Sequence, residues 1–192
     1  MAVLDYSEVK PKKFIIHNDE PYEVLESHVA RTQKRKPQNA VKLRNLINGR
    51  VIPMSFHASD TVEEAEIYRK EGKFLYKAKE GLWFCNPKDA KDRYLVEEDL
   101  VGDQIKWLKG DTIVDIKTWG EDEEEKIIGI KLPVKMTLEV VEAPPAIKGN
   151  TASGGDKLVT LETGGKVTTP LFIEIGDKII VNTETSEYVE RA

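Results

Sequence analysis

Val24-Leu25-Glu26-Ser27-His28-Val29-Ala30-Arg31-Thr32-Gln33-Lys34-Arg35-Lys36-Pro37-Gln38-Asn39-Ala40-Val41-Lys42-Leu43-Arg44-Asn45-Leu46 is the stretch on which the reading of this chain turns. Its flanks, Val24 to Ala30 and Ala40 to Leu46, read as two paired strands. Tyr22-Glu23-Val24 and Val41-Lys42-Leu43-Arg44 show the period-two alternation of half-buried strands. Asn48-Gly49 comes next and predicts a two-residue turn into a run containing Met54. The connection between the flanks, Arg31 to Asn39, is nine residues long, where hairpin loops take about two to five. It has no glycine and four positive charges, on Arg31, Lys34, Arg35 and Lys36. A long polar loop on a rigid scaffold is a common place for function. Half of it, fully extended, projects its tip on the order of 15 Å beyond the sheet. A lysine adds a flexible stem and a compact charge. A narrow RNA-lined cleft suits such a probe; a merely solvated basic loop is the other local reading.

Charge extends the argument. From Ser27 to Ser59 there is no Asp or Glu, while Arg31, Lys34, Arg35, Lys36, Lys42, Arg44 and Arg50 all fall there. The chain as a whole has a net charge of -5, with acid gathered at Glu97-Glu98-Asp99 and Glu121 to Glu125. A basic end on an acidic molecule steers that end toward a polyanion. At 192 residues the chain holds one large domain or two to three small ones. Its 40% hydrophobic and 33% charged residues exclude a membrane protein and argue against wholesale disorder. No stretch approaches the roughly 18 apolar residues of a membrane span, and Met1 to Lys13 lacks the apolar core of a signal peptide. The single cysteine, Cys85, fits a cytoplasmic protein.

Further strand signals are Phe74-Leu75-Tyr76 and Leu82-Trp83-Phe84 around a Lys79-Glu80-Gly81 turn, then Thr112 to Trp119 and Lys135 to Val141. Leu158 to Leu161, Leu171 to Ile175 and Lys178 to Val181 follow. Glu97 to Leu108 predicts a helix from Leu100, Val101, Ile105 and Leu108. Many short strands and few helices predict an all-β protein of small β-barrels. Boundaries fall in Asp60 to Glu66 and near Ile130, giving segments 1–65, 66–129 and 130–192.

Catalytic signatures are absent: there is no Walker A loop, GxGxxG or GxSxG. His17, His28 and His57 lack metal-ligand spacing, so no metal or cofactor is expected. Gly154-Gly155 and Gly164-Gly165 read first as turn glycines. Cys85 reads as a packing residue, and Trp83, Trp107 and Trp119 as core or rim residues rather than base-stacking platforms.

The C-terminal third carries a resemblance. Lys148-Gly149-Asn150-Thr151-Ala152-Ser153-Gly154-Gly155-Asp156-Lys157 resembles the signature of the elongation factor P family. Thr160 to Val167, Pro170-Leu171-Phe172-Ile173, Ile175-Gly176 and the ending from Thr183 to Arg191 are similar to it as well. Asp19-Glu20-Pro21-Tyr22 and Val41-Lys42-Leu43-Arg44 resemble its N-terminal domain. The resemblance implies three barrels, a KOW-like, SH3-type N-terminal one and two OB barrels, in an L that resembles tRNA. It implies a monomeric, non-enzymatic factor that binds the ribosome (its rRNA and ribosomal proteins) and P-site tRNA, between the P and E sites. There it relieves stalling on consecutive prolines, whose ring restricts the backbone.

Lys34 falls where many members carry a modified lysine or an arginine, so a lysine-modifying enzyme is a further implied partner. The family's usual loop has Pro-Gly before that lysine and glycine after it; here Thr32-Gln33 precede and Arg35-Lys36 follow. That context leaves the modification open, and leaves Arg35 and Lys36 as alternative tips. The expected RNA contacts are Arg31, Arg35, Lys36, Lys42 and Arg44 in the first segment. In the last they are Lys148, Thr151, Gly154 and Gly155, with Tyr188 and Arg191 supporting. The alternatives are a paralogue with another stalling specificity, or a general single-strand RNA-binding OB protein, which calls for exposed aromatics on a barrel face.

Overall fold

The computed structural model describes residues 2–30, 37–120, 125–145 and 155–192. Six strands come first: β1 (Val3–Asp5), β2 (Phe14–His17), β3 (Glu20–Ala30), β4 (Gln38–Asn45), β5 (Val51–His57) and β6 (Thr61–Glu63). They form a four-stranded sheet in the order β2-β3-β4-β5 and a small β1-β6 pair. The alternation read in the opening stretch is realised in β4, where Asn39, Val41, Leu43 and Asn45 are buried and their neighbours exposed. Val41 and Leu43 join Leu4, Val9, Ile15, Tyr22, Val24, Phe56 and Val62 in one core.

The turns depart from expectation in an instructive way. Asn48-Gly49 is not a two-residue turn: β4 ends at Asn45, β5 begins at Val51, and of the pair only Gly49 has positive φ. The buried Asn45 explains this, because its side-chain oxygen accepts the Ile47 and Asn48 N–H groups and builds a wider turn. The tight hairpin lies instead at Asn18-Asp19, with φ of 50° and 59°, between the paired His17 and Glu20. Two consecutive left-handed residues match the strand twist there, and Asn and Asp tolerate them.

The middle strands are β7 (Ile67–Ala78), β8 (Gly81–Asn86), β9 (Asp89–Val96), β10 (Ile113–Trp119) and β11 (Lys126–Lys131). Their sheet runs β11-β10-β7-β8-β9. The Lys79-Glu80 turn is as expected, with Ala78 opposite Gly81. The predicted helix is broken: α1 covers only Glu98–Val101, and a 3-10 helix runs over Gly102–Trp107. Gly102, at φ 56° and ψ -140°, leaves helical geometry and explains the break. Val101, Trp107 and Leu108 are buried all the same.

The last strands are β12 (Lys135–Glu142), β13 (Asp156–Leu161), β14 (Lys166–Pro170), β15 (Lys178–Asn182) and β16 (Glu187–Arg191), in the order β14-β13-β12-β15-β16. Leu171 to Ile175 is not a strand. It is a turn segment in which Ile173 is fully buried while Phe172 and Ile175 face solvent. Ile173 is a single buried anchor among exposed neighbours. The described chain is all-β with barrel-like sheets, apart from α1 and the 3-10 helix. Its backbone divides into two compact units, residues 1–70 with 116–130 and residues 71–115 with 131–192.

Candidate nucleic-acid interface

The site is built on the hairpin β3–β4. Its ladder runs from Tyr22 opposite Asn45 to Ala30 opposite Gln38, so the strands stay paired up to the residues that flank the basic loop. On the other side of β4, Gln38 pairs with His57 and Asn39 with Phe56 of β5. Pro37 adds a carbonyl that accepts the Ala58 N–H at 3.2 Å. The loop therefore leaves from three strands abreast rather than from a two-stranded ribbon. Arg31, Lys34, Arg35 and Lys36 themselves lie outside the described residues.

Sequence reasoning assigned Asn39 to the loop and missed its role. It is the second residue of β4 and fully buried. Its side-chain amide donates to the Tyr6 carbonyl at 2.7 Å and the Val9 carbonyl at 2.9 Å, tying the β1–β2 connection beneath the loop's base. Among the described residues its buried Oδ1 has no hydrogen-bond partner. The signal was in the sequence: Asn39, Val41, Leu43 and Asn45 share one parity, so an inward-facing Asn was legible once the strand was extended by two residues.

Lys42 and Arg44 sit on the exposed face of β4, and both have acidic partners. Lys42 Nζ lies 2.9 Å from Glu26, and Arg44 pairs with Glu23. Both acids precede the acid-free stretch in sequence, but the register places them directly opposite the cations. Such exposed pairs are worth about 1 kcal/mol or less, so a phosphate can displace the carboxylate at small cost. Asp60 accepts the His57 N–H at 2.7 Å, and chiefly that bond holds its carboxyl below the ordinary value. His17 packs edge-on against Tyr22. Among the described residues no three His, Cys, Asp or Glu side chains gather as a metal site.

The second expected RNA surface is divided. Lys148, Thr151 and Gly154 lie outside the described residues; Gly155 is half-buried just before β13. On β16, a bulge sets Tyr188 opposite Val181 and Arg191 opposite Ile179, which brings these two side chains to one face. Arg191 forms a 2.7 Å ion pair with Asp177, whose other oxygen accepts the Glu174 N–H.

Comparison with known proteins adds a different kind of observation. Residues 5–62 match the family described as "Elongation factor P (EF-P) KOW-like domain", and residues 136–191 match "Elongation factor P, C-terminal". The chain is 37% identical over 172 residues to elongation factor P of Carboxydothermus hydrogenoformans, covering 90% of each chain. It is 39% identical over 173 residues to that of Dictyoglomus turgidum, covering 90% of this chain and 91% of the relative. With that of Thermotoga maritima the identity is 37% over 190 residues, 99% of this chain and all of the relative. Among solved structures, the eukaryotic translation initiation factor 5A from Methanococcus jannaschii has a similar fold. The TM-score is 0.51 at 12% identity, covering 69% of this chain and 92% of that one.

Proposed function

The chain belongs to the elongation factor P family of translation elongation factors, and on that premise we propose that it binds the ribosome between the P and E sites and stimulates peptide-bond formation at consecutive prolines. The observation that carries the reading is the hairpin β3–β4, which stays paired to Ala30 and Gln38 and is braced by β5 and Asn39 where the basic loop begins. A rigid base is what a positioning device needs, because a tip held loosely contributes little orientation.

In this reading Lys34, with Arg35 and Lys36 beside it, reaches the end of the P-site tRNA and supplies no acid, base or nucleophile. Arg31, Lys42 and Arg44 contact RNA backbone. A second contact involves Lys148, Thr151, Gly154 and Gly155, with Tyr188 and Arg191 on the flanking strand. The factor acts as a cytoplasmic monomer with domains 1–65, 66–129 and 130–192, and a lysine-modifying enzyme is a further partner. Synthesis of a proline-rich peptide in a reconstituted translation system tests the reading: the chain accelerates consecutive-proline steps and leaves a proline-free peptide unchanged. Equal effects on both peptides, or none on either, reject it. Phosphate contacts also require that ribosome affinity fall steeply as salt rises.

A further inference from the structure

We propose that the outer face of β7–β8–β9 is a stacking surface for single-stranded RNA, separate from the basic loop and independent of the ribosomal reading. In β8, Leu82 and Phe84 are fully buried, so Trp83 between them points the other way. The register sets Tyr76 opposite Trp83 and Trp83 opposite Leu95. One cross-strand row therefore carries an aromatic, an aromatic and a leucine. Tyr76 is 49% and Leu95 39% exposed, and Trp83 is half-buried between them. Strands about 4.8 Å apart make this an apolar strip on the order of 10 Å long.

The next row on the same face is Lys73, Cys85 and Arg93, with a cation at each end and a small buried side chain between. Lys73 holds Asp111 at 2.7 Å, which raises its affinity for its proton and keeps it charged. Asp111 is largely exposed, so a phosphate oxygen can replace it at small cost. Arg93 is exposed and donates Nε to the Ala90 carbonyl at 3.4 Å. Trp83 Nε1 donates to Glu80 at 3.2 Å, a bond made by the edge of the ring.

Aromatic faces beside cations match the chemistry of unpaired bases on a phosphate backbone. A duplex hides its base faces and has no use for the strip. A protein partner would use the apolar row but would not need both cations. Trp83, read from sequence as a core or rim residue, is a stacking residue on this account.

The test uses the full chain with Arg31, Lys34, Arg35 and Lys36 changed to Gln, so that the loop is electrostatically silent. Fluorescence anisotropy follows a labelled single-stranded RNA of about 12 nucleotides at low salt. Tyr76→Ser and Arg93→Gln should each weaken binding about tenfold, and Tyr76→Phe should leave it within about twofold. Phe172→Ala, an exposed aromatic elsewhere, should change nothing, and the matching duplex should bind more weakly than the single strand. Saturating RNA should also quench fluorescence of the otherwise unaltered chain, and Trp83→Phe should abolish that quench; this arm holds even if a polar substitution disturbs folding. Unchanged binding in Tyr76→Ser and Arg93→Gln, equal affinity for duplex, or no quench would overturn the proposal. So would variants that keep RNA affinity but lose a ribosomal protein, which would assign the face to a protein partner.

Discussion

The hairpins β3–β4 and β13–β14 are held in opposite ways. The first is braced at its base: Asn39 anchors β4 to the Tyr6 and Val9 carbonyls, and β5 continues the sheet beside it. The second is pinned at its tip. Its turn, residues 162–165, closes through Leu161 N–H to Gly165 O and Gly164 N–H to Leu161 O. Thr163 donates to the Lys106 carbonyl at 2.6 Å, and Glu162 pairs with Lys109 at 2.7 Å. Gly165 lies so close that an added Cβ would sit 2.7 Å from the Lys106 oxygen and 2.8 Å from the Trp107 ring. A hairpin tip that packs is a structural joint, and changing it changes stability. Among the described residues, what braces the first hairpin lies at its base, so the sensitive position there is Asn39.

The largest expected effect follows from the pinned tip. Gly165→Ala should cost about 2–3 kcal/mol, because backbone and a buried indole must both give way. Chemical denaturation measures it, and a loss within error would mean that the turn is not pinned. Gly164→Ala, at φ 82° with open space around it, should cost only about 1 kcal/mol.

At the other hairpin the sensitive position is the base. Asn39→Ala should cost about 2 kcal/mol, because the buried Val9 carbonyl and the part-buried Tyr6 carbonyl lose their donor. It should also slow proline-rich synthesis, because the platform under the loop loosens. Unaltered synthesis at reduced stability would make Asn39 a folding residue alone. Smaller still, a double-mutant cycle on Lys42 and Glu26 should give under about 1 kcal/mol, since both are exposed.

The pinned tip also carries a pH dependence. Burial pushes the Glu162 carboxyl up, but the Lys109 ammonium, the Glu139 N–H and the Lys178 charge together pull it below its ordinary 4.5. A depressed carboxylate stabilises the fold above its unfolded pKa and loses that contribution as pH falls through the folded value. Glu162→Gln should therefore be less stable than the parent chain near neutrality, and the gap should narrow as pH falls below the ordinary 4.5. A constant gap in thermal unfolding across that range would contradict the assignment.

These particulars show what the sequence made legible. Period-two alternation revealed β4 and its core face, because burial repeats locally. Leu171 to Ile175 reads as a strand but is a turn segment with one fully buried side chain, Ile173. Gly164 and Gly165 both read as turn glycines, yet only Gly164 has positive φ; Gly165 is small because Trp107, far away in sequence, fills its space. The acid-free count from Ser27 to Ser59 overstated the free charge on β4, because Glu23 and Glu26 arrive across the strand pair. Local propensity is written in a segment; partners supplied by register and packing are not.

Central to the proposed function is Lys34, proposed to act by position and not through the fold. Lys34→Ala should leave the unfolding midpoint within about 0.5 kcal/mol of the parent. Ribosome binding should fall only modestly, because the remaining cations persist. The decisive measurement is the rate of peptide-bond formation at consecutive prolines in a reconstituted system with this single substitution. That rate should fall about tenfold or more, equivalent to roughly 1.4 kcal/mol of lost positioning. A Lys34→Ala chain that rescues proline-rich synthesis as fast as the parent would contradict it.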